Sequence, residues 1–121
     1  MPPPAKEVFI KIDAEGFEFP VIRGGKTLLD KSPSVAILFE FSFAWKESGE
    51  SIEQCFQFLN SLGYDFYRLT PYGLEHLRFI TQDMNHIQYC NYVALKGVDL
   101  SAFSAMNIPS PYGENLLVRF P

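Results

Sequence analysis

Three carboxylates and one indole are the side chains of this sequence whose type and spacing could do chemistry. Asp13 and Glu15 fall in Asp13-Ala14-Glu15-Gly16, directly after the apolar run Val8-Phe9-Ile10-Lys11-Ile12. Glu40 closes a second apolar run, Val35-Ala36-Ile37-Leu38-Phe39, ahead of Phe41-Ser42. If the two runs are neighbouring strands, all three acids converge on the carboxyl-end rim, where open α/β sheets bind ligands. Acids clustered there could bind a hard cation, act as general base, or accept hydrogen bonds from a substrate's hydroxyl or amine. The structural alternative is that Asp13 or Glu15 caps the helix that follows, favoured there by its dipole. Trp45, read as lying on the loop after the second run, either floors an acceptor pocket or covers the core.

The elements that must position these residues follow from periodicity and punctuation. Val8 to Ile12 predicts a strand, with Gly16 at the sharp turn after it. Val21, Ile22, Leu28 and Leu29 share one face of a helix from Phe17 to about Lys31, with Pro20 in its first turn, where a missing N–H costs little. Ser32-Pro33-Ser34 stops that helix, and the run from Val35 to Phe41 predicts a strand covered on both faces. Ser51-x-x-Gln54 fits a capping box. It opens a helix striped by Ile52, Cys55, Phe56, Phe58, Leu59 and Leu62, which Gly63 ends.

Further strands are expected over 64–70 and 91–96, with a hairpin arm over 74–80. The tail is expected to hold a short helix near 100–106 and a strand near 116–120. Strand, helix, strand, helix, strand predicts an α/β fold in a single domain, residues 1–121. The expected sheet is mostly parallel, with flanking helices and an antiparallel strand added at one edge.

Composition narrows the function classes. The chain has 121 residues, 47% hydrophobic, 16% aromatic and 20% charged; that supplies a core and excludes a disordered segment. A net charge of −4, with no Lys/Arg cluster, argues against a nucleic-acid binder. No apolar stretch approaches the ~20 residues of a membrane span and no signal-type leader is present, so a cytoplasmic protein is expected. Cys55 and Cys90 read as buried free thiols and make no zinc site. His76 and His86, with Asp83 between them, lack metal spacing on one element and read as surface or packing residues. Gly24-Gly25-Lys26-Thr27 ends like a phosphate-binding loop, but the required first glycine falls at Pro20 and the element lies inside a helix.

One stretch carries more than generic α/β pattern. Ile10 to Glu18, then Val21-Ile22-Arg23-Gly24-Gly25 and Leu28-Leu29, then Ile37-Leu38-Phe39-Glu40, resembles the second half of FkbM-type methyltransferases. Leu62-Gly63-Tyr64 resembles that family's helix-to-strand junction, and the likeness runs over roughly residues 8–96. The resemblance implies a Rossmann-like fold, S-adenosylmethionine as methyl donor, and transfer to a hydroxyl oxygen of a natural product or glycan. By that resemblance Asp13 and Glu15 stand beside the methyl-transfer centre, and Glu40 lines the acceptor pocket. The family's cofactor half precedes this element; here seven residues precede it and no G-x-G-x-x-G occurs, so no cofactor-binding residue is assigned.

Three readings result. The chain is a methyltransferase-like module that does not transfer methyl groups alone and works with a chain supplying the other half. Alternatively it is a non-catalytic, oligomeric binding or assembly module of the same ancestry. The third reading is a small enzyme using Asp13, Glu15 and Glu40 differently, with a divalent metal. In the resembling fold the first strand is central, so alone it would leave a bare apolar edge. A two-fold homodimer is expected to bury it, unless the proline-rich leader or the tail folds over it.

Overall fold

The computed structural model describes residues 7–71, 73–78, 89–100, 104–109 and 116–119. Its elements run β1 (Val8–Ile12), α1 (Glu18–Gly24), α2 (Lys26–Lys31), β2 (Val35–Ser42), α3 (Phe43–Glu47), α4 (Ile52–Ser61), β3 (Asp65–Thr70), β4 (Gly73–Leu77), β5 (Tyr89–Lys96), β6 (Ser104–Pro109) and β7 (Leu116–Arg119). The described strands form one sheet in the order β1-β2-β5-β3-β4-β7-β6.

The mixed α/β class agrees with the sequence, but the expected mostly parallel sheet does not. Among the described strands only β1 and β2 pair parallel; β2–β5, β5–β3, β3–β4, β4–β7 and β7–β6 are antiparallel. The reason lies in where β5 inserts. β1, β2 and β3 still run in one direction, as strands joined through helices must, but β5 enters between β2 and β3 instead of adding at an edge. One reversed strand in the middle replaces the expected parallel contact between β2 and β3 with two antiparallel ones.

Packing is one-sided. Same-face residues Ile12, Val35, Ile37, Phe39, Phe41, Phe66, Tyr92 and Ala94 form the main core with Phe19, Ile22, Leu29, Trp45, Ile52, Cys55 and Leu59 from the helices. The opposite face has a smaller cluster, Tyr67, Leu74 and Leu95, against which Ala36, Val93, Val98 and Leu100 pack. β2 accordingly alternates buried and half-buried along its length, not covered alike on both faces.

Local expectations fare unevenly. Ser51 Oγ accepts from Gln54 N at 3.0 Å, and α4 ends at Leu62 with Gly63 at φ +88° behind it. The helix expected from Phe17 to Lys31 is two, broken at Gly25, whose N–H bonds back to Val21 and Ile22 carbonyls. Trp45 sits on α3 rather than on a loop. Residues 104–106, expected to close a helix, begin β6, whereas the strand expected near 116–120 is β7. The leader, residues 79–80 of the hairpin arm, Asp83, His86 and residues 101–103 lie outside the described residues.

Cross-ties fasten the helical layer to the sheet. Tyr64 Oη donates to Leu29 O at 2.8 Å, and Lys96 Nζ donates to the Leu29 and Asp30 carbonyls, so the end of α2 is held by β3's entry and β5's exit. Arg23 forms a two-pronged pair with Glu50 at 2.9 and 2.7 Å and lies over the Phe19 ring. Within the sheet, Arg68 pairs at 2.8 Å with Glu75, whose side chain is fully buried.

Both cysteines are free, Cys55 buried and Cys90 partly so. Burial pushes up the Cys55 thiol and the Tyr92 phenol, and raises the Tyr64 phenol to about 12. Groups whose pKa rises on folding stabilise the fold fully below their unfolded values, about 8.5 for a thiol and 10 for a phenol, and lose that contribution as pH climbs toward the folded values. Stability is therefore expected to fall between pH 8.5 and 12. Unfolding free energies from urea titration at pH 7.5 and 10.5 should differ by roughly 2–3 kcal/mol for Cys55 alone. Cys55→Ala should reduce that pH difference even as it lowers stability at pH 7.5.

Candidate functional site

The loop after β1 is organised by a residue that the spacing argument overlooked. Glu18, the first residue of α1, is 2% exposed, and its carboxylate accepts three N–H groups. Ala14 N donates to Oε2 at 2.8 Å, Gly16 N to Oε1 at 2.8 Å, and Trp45 Nε1 to Oε1 at 3.0 Å. Neither Asp13 nor Glu15 caps the helix; the N-cap is Phe17, with no side-chain cap, and Glu18 satisfies the loop amides from inside the helix.

The geometry leaves little slack. Glu15 has φ +45° and Gly16 φ +104°, backbone states that glycine tolerates and glutamate adopts only under constraint. A Cβ on Gly16 would meet the Ala44 backbone oxygen at 2.7 Å, so the loop rests directly on α3. Ser48 Oγ donates to Gly16 O at 2.7 Å from the end of the same helix.

Trp45 is fully buried, ringed by Phe19, Phe39 and Phe41 at centroid distances of 6.2, 5.9 and 5.2 Å. Its indole presents no surface to a pocket; of the two expected roles, the structure displays the core one. Besides Glu18, its N–H lies 3.1 Å from the Glu40 carbonyl. One indole thus ties the end of β1 to the end of β2.

Asp13 and Glu40 come together at the strand ends. Ile12 pairs with Phe39 in the parallel ladder, which brings the next residues of both strands alongside each other. Both acids act on Tyr89 at the start of β5: the phenol is held above its ordinary value by its hydrogen bond to Glu40, with the charges of Glu40 and Asp13 adding to the effect. Glu15 stands exposed on the strained turn. Among the described residues no group of three His, Cys, Asp or Glu side chains could hold a metal ion. The three acids therefore do not assemble into a cation cage.

Tyr89 is the rim residue that sequence reasoning missed. It lies two residues outside the expected strand and follows 79–88, so no periodicity tied it to Glu40. Only the β2–β5 register, with Asn91 opposite Glu40 and Tyr89 opposite Ser42, places it there. His76 stacks on Tyr67 at 4.8 Å and lies 3.8 Å from Asp65, a packing role on the other face.

Two outcomes test this geometry. Glu18→Gln leaves one oxygen to serve three donors, two of them buried, and should cost about 2–4 kcal/mol of unfolding free energy in urea titration. Glu40→Gln removes the negative charge near Tyr89, so the Tyr89 phenol should titrate nearer its ordinary value, about 10, by NMR.

No helix among the described residues is long and apolar enough to cross a membrane. A family model described as the Methyltransferase FkbM domain matches residues 5–66. That span is just over half the chain and runs from the approach to β1 into the start of β3. No curated protein and no solved structure matches.

Proposed function

Since this chain belongs to the FkbM methyltransferase family, we propose that its carboxyl-end rim is the acceptor side of a methyl-transfer site. The observation that carries this reading is the register that sets Asp13 and Glu40 directly beyond the paired residues Ile12 and Phe39, with Tyr89 at the same end of the neighbouring β5. Glu40, with the Tyr89 phenol at the same rim, takes the proton of an acceptor hydroxyl. Asp13 accepts a second hydrogen bond and orients the acceptor, while Glu15 extends the acidic rim from the exposed turn. Trp45 is a positioning residue that acts through Glu18 and the Glu40 backbone. The acceptor class is a hydroxylated natural product or glycan. Two free cysteines favour the reducing cytoplasm as its compartment.

S-adenosylmethionine, the donor implied by the family, supplies an electrophilic methyl group when bound. The described residues do not fit it. The Ala14 and Gly16 amides at the turn after β1 both donate to Glu18, and the space beside Gly16 is filled by Ala44. Neither the amides nor the cleft that a donor would need is available at this turn. Donor binding in this reading calls on elements other than the described turn, and the described residues do not complete a methyl-transfer site by themselves.

A non-catalytic assembly module of the same ancestry is the second reading. It is favoured by the outer edge of β1, which has no strand partner among the described residues.

Calorimetric titration of the purified chain with S-adenosylmethionine tests the first reading. A flat titration is expected, and saturable heat with a defined stoichiometry would overturn the claim that this chain alone lacks donor binding.

A further inference from the structure

We infer that the outer edge of β1 docks a second copy of this chain, the two β1 strands pairing antiparallel about a two-fold axis at Phe9. The inference stands apart from the methyl-transfer reading and rests on backbone direction, exposure and charge.

The backbone direction comes first. Val8 N donates to Ser34 O at 2.9 Å, so Val8, Ile10 and Ile12 turn their N–H and C=O groups toward β2. Alternation then points the corresponding groups of Glu7, Phe9 and Lys11 outward. Among the described residues no strand takes them, and the tail strands β6 and β7 extend the opposite end of the sheet beyond β4.

The surroundings of this edge are apolar. Phe9 is 70% exposed and Leu28 52%. Leu28, Val8, Gly24, Gly25 and Thr27 help to line a cleft of about 650 Å³ between the edge and α2. A bare edge with apolar flanks is a template for strand addition, which folded proteins normally cover.

Self-complementarity selects the occupant. A two-fold axis requires antiparallel pairing, and outward-facing groups can meet only in registers that step by two residues. Centring the axis on Phe9 sets Phe9 against Phe9 of the second copy, with Lys11 opposite Glu7 on both sides. Both backbone hydrogen bonds are then exchanged at each of these pairs. Centring on Ile10 instead opposes Glu7 to Asp13, and centring on Lys11 opposes two lysines. Of these three, the Phe9 register alone combines an aromatic pair with opposite charges directly across the strands, the combinations that stabilise antiparallel ladders. Val8 of one copy then faces Ile10 of the other on the helical side, beside the Leu28 cleft.

The test is sedimentation velocity of the full chain at micromolar concentration. The wild-type chain should sediment as a dimer. Lys11→Glu and Glu7→Lys lie at exposed positions and should each weaken self-association about tenfold, by turning two attractive pairs repulsive. An equimolar mixture of those two chains, or one chain carrying both changes, should recover it. Phe9→Pro removes an outward N–H that β2 does not use and should give a folded monomer by circular dichroism. A wild-type monomer would overturn the proposal, as expected of an edge that accepts only a companion chain. So would a dimer indifferent to both charge reversals and to Phe9→Pro. Slow amide exchange at Phe9 and Lys11 that persists in a monomeric variant would also overturn it, by showing that the chain's own residues cover the edge.

Discussion

The buried carboxylate of Glu18 is the constraint on which the arrangement of the rim depends. A charge taken out of water is costly unless its lone pairs are fully used. Here two amides of the preceding loop and the Trp45 indole use them. The same bonds fix three pieces that no backbone ladder joins: the turn after β1, the start of α1, and α3. Without such a partner, Ala14 and Gly16 would leave N–H groups unsatisfied under the helical layer, and the left-handed backbone at Glu15 would have nothing to hold it.

The position of β5 sets the rest of the plan. Inserted between β2 and β3, it meets β2 along the full length from Val35 to Ser42, so the most apolar strand of the chain is paired on both sides. This insertion also brings Tyr89 to the Glu40 end of β2. A tyrosine remote in sequence thereby comes to the same rim as Asp13 and Glu40. The Lys96 ammonium, at the other end of β5, holds the last carbonyls of α2.

Much of this could be read from residue order, and the exceptions have physical causes. β1, β2 and α4 were legible because their signals are local: alternation or apolar runs, a serine cap and a terminal glycine. The pairing of Asp13 with Glu40 was legible because parallel strands joined through a helix are usually adjacent. Glu18 was not, because a glutamate in a first helical turn looks like any favourable dipole partner; only its burial reveals that it serves the loop behind it. Trp45 reads as a loop residue because α3 is too short to display a period. That an antiparallel strand sits between β2 and β3 and not at an edge is not legible, because sequence carries no mark of which gap a strand will fill. The tail mixes apolar residues with prolines, and 104–106, the start of β6, read as the end of a helix since neither period dominates there.

The long-range pairing of β2 has a consequence for synthesis. Leu38 is made early, yet Val93, which pairs with it, emerges only near the end of the described sheet. Until then one side of an eight-residue apolar strand has its hydrogen-bonding groups unmet, and closing that loop demands a large entropy loss before contacts repay it. The nascent chain consequently holds an adhesive strand open while the residues between Leu38 and Val93 are added. A pause in elongation anywhere between α4 and β5 prolongs that exposure, making the yield of folded protein sensitive to ribosome speed and to chaperones that mask β2.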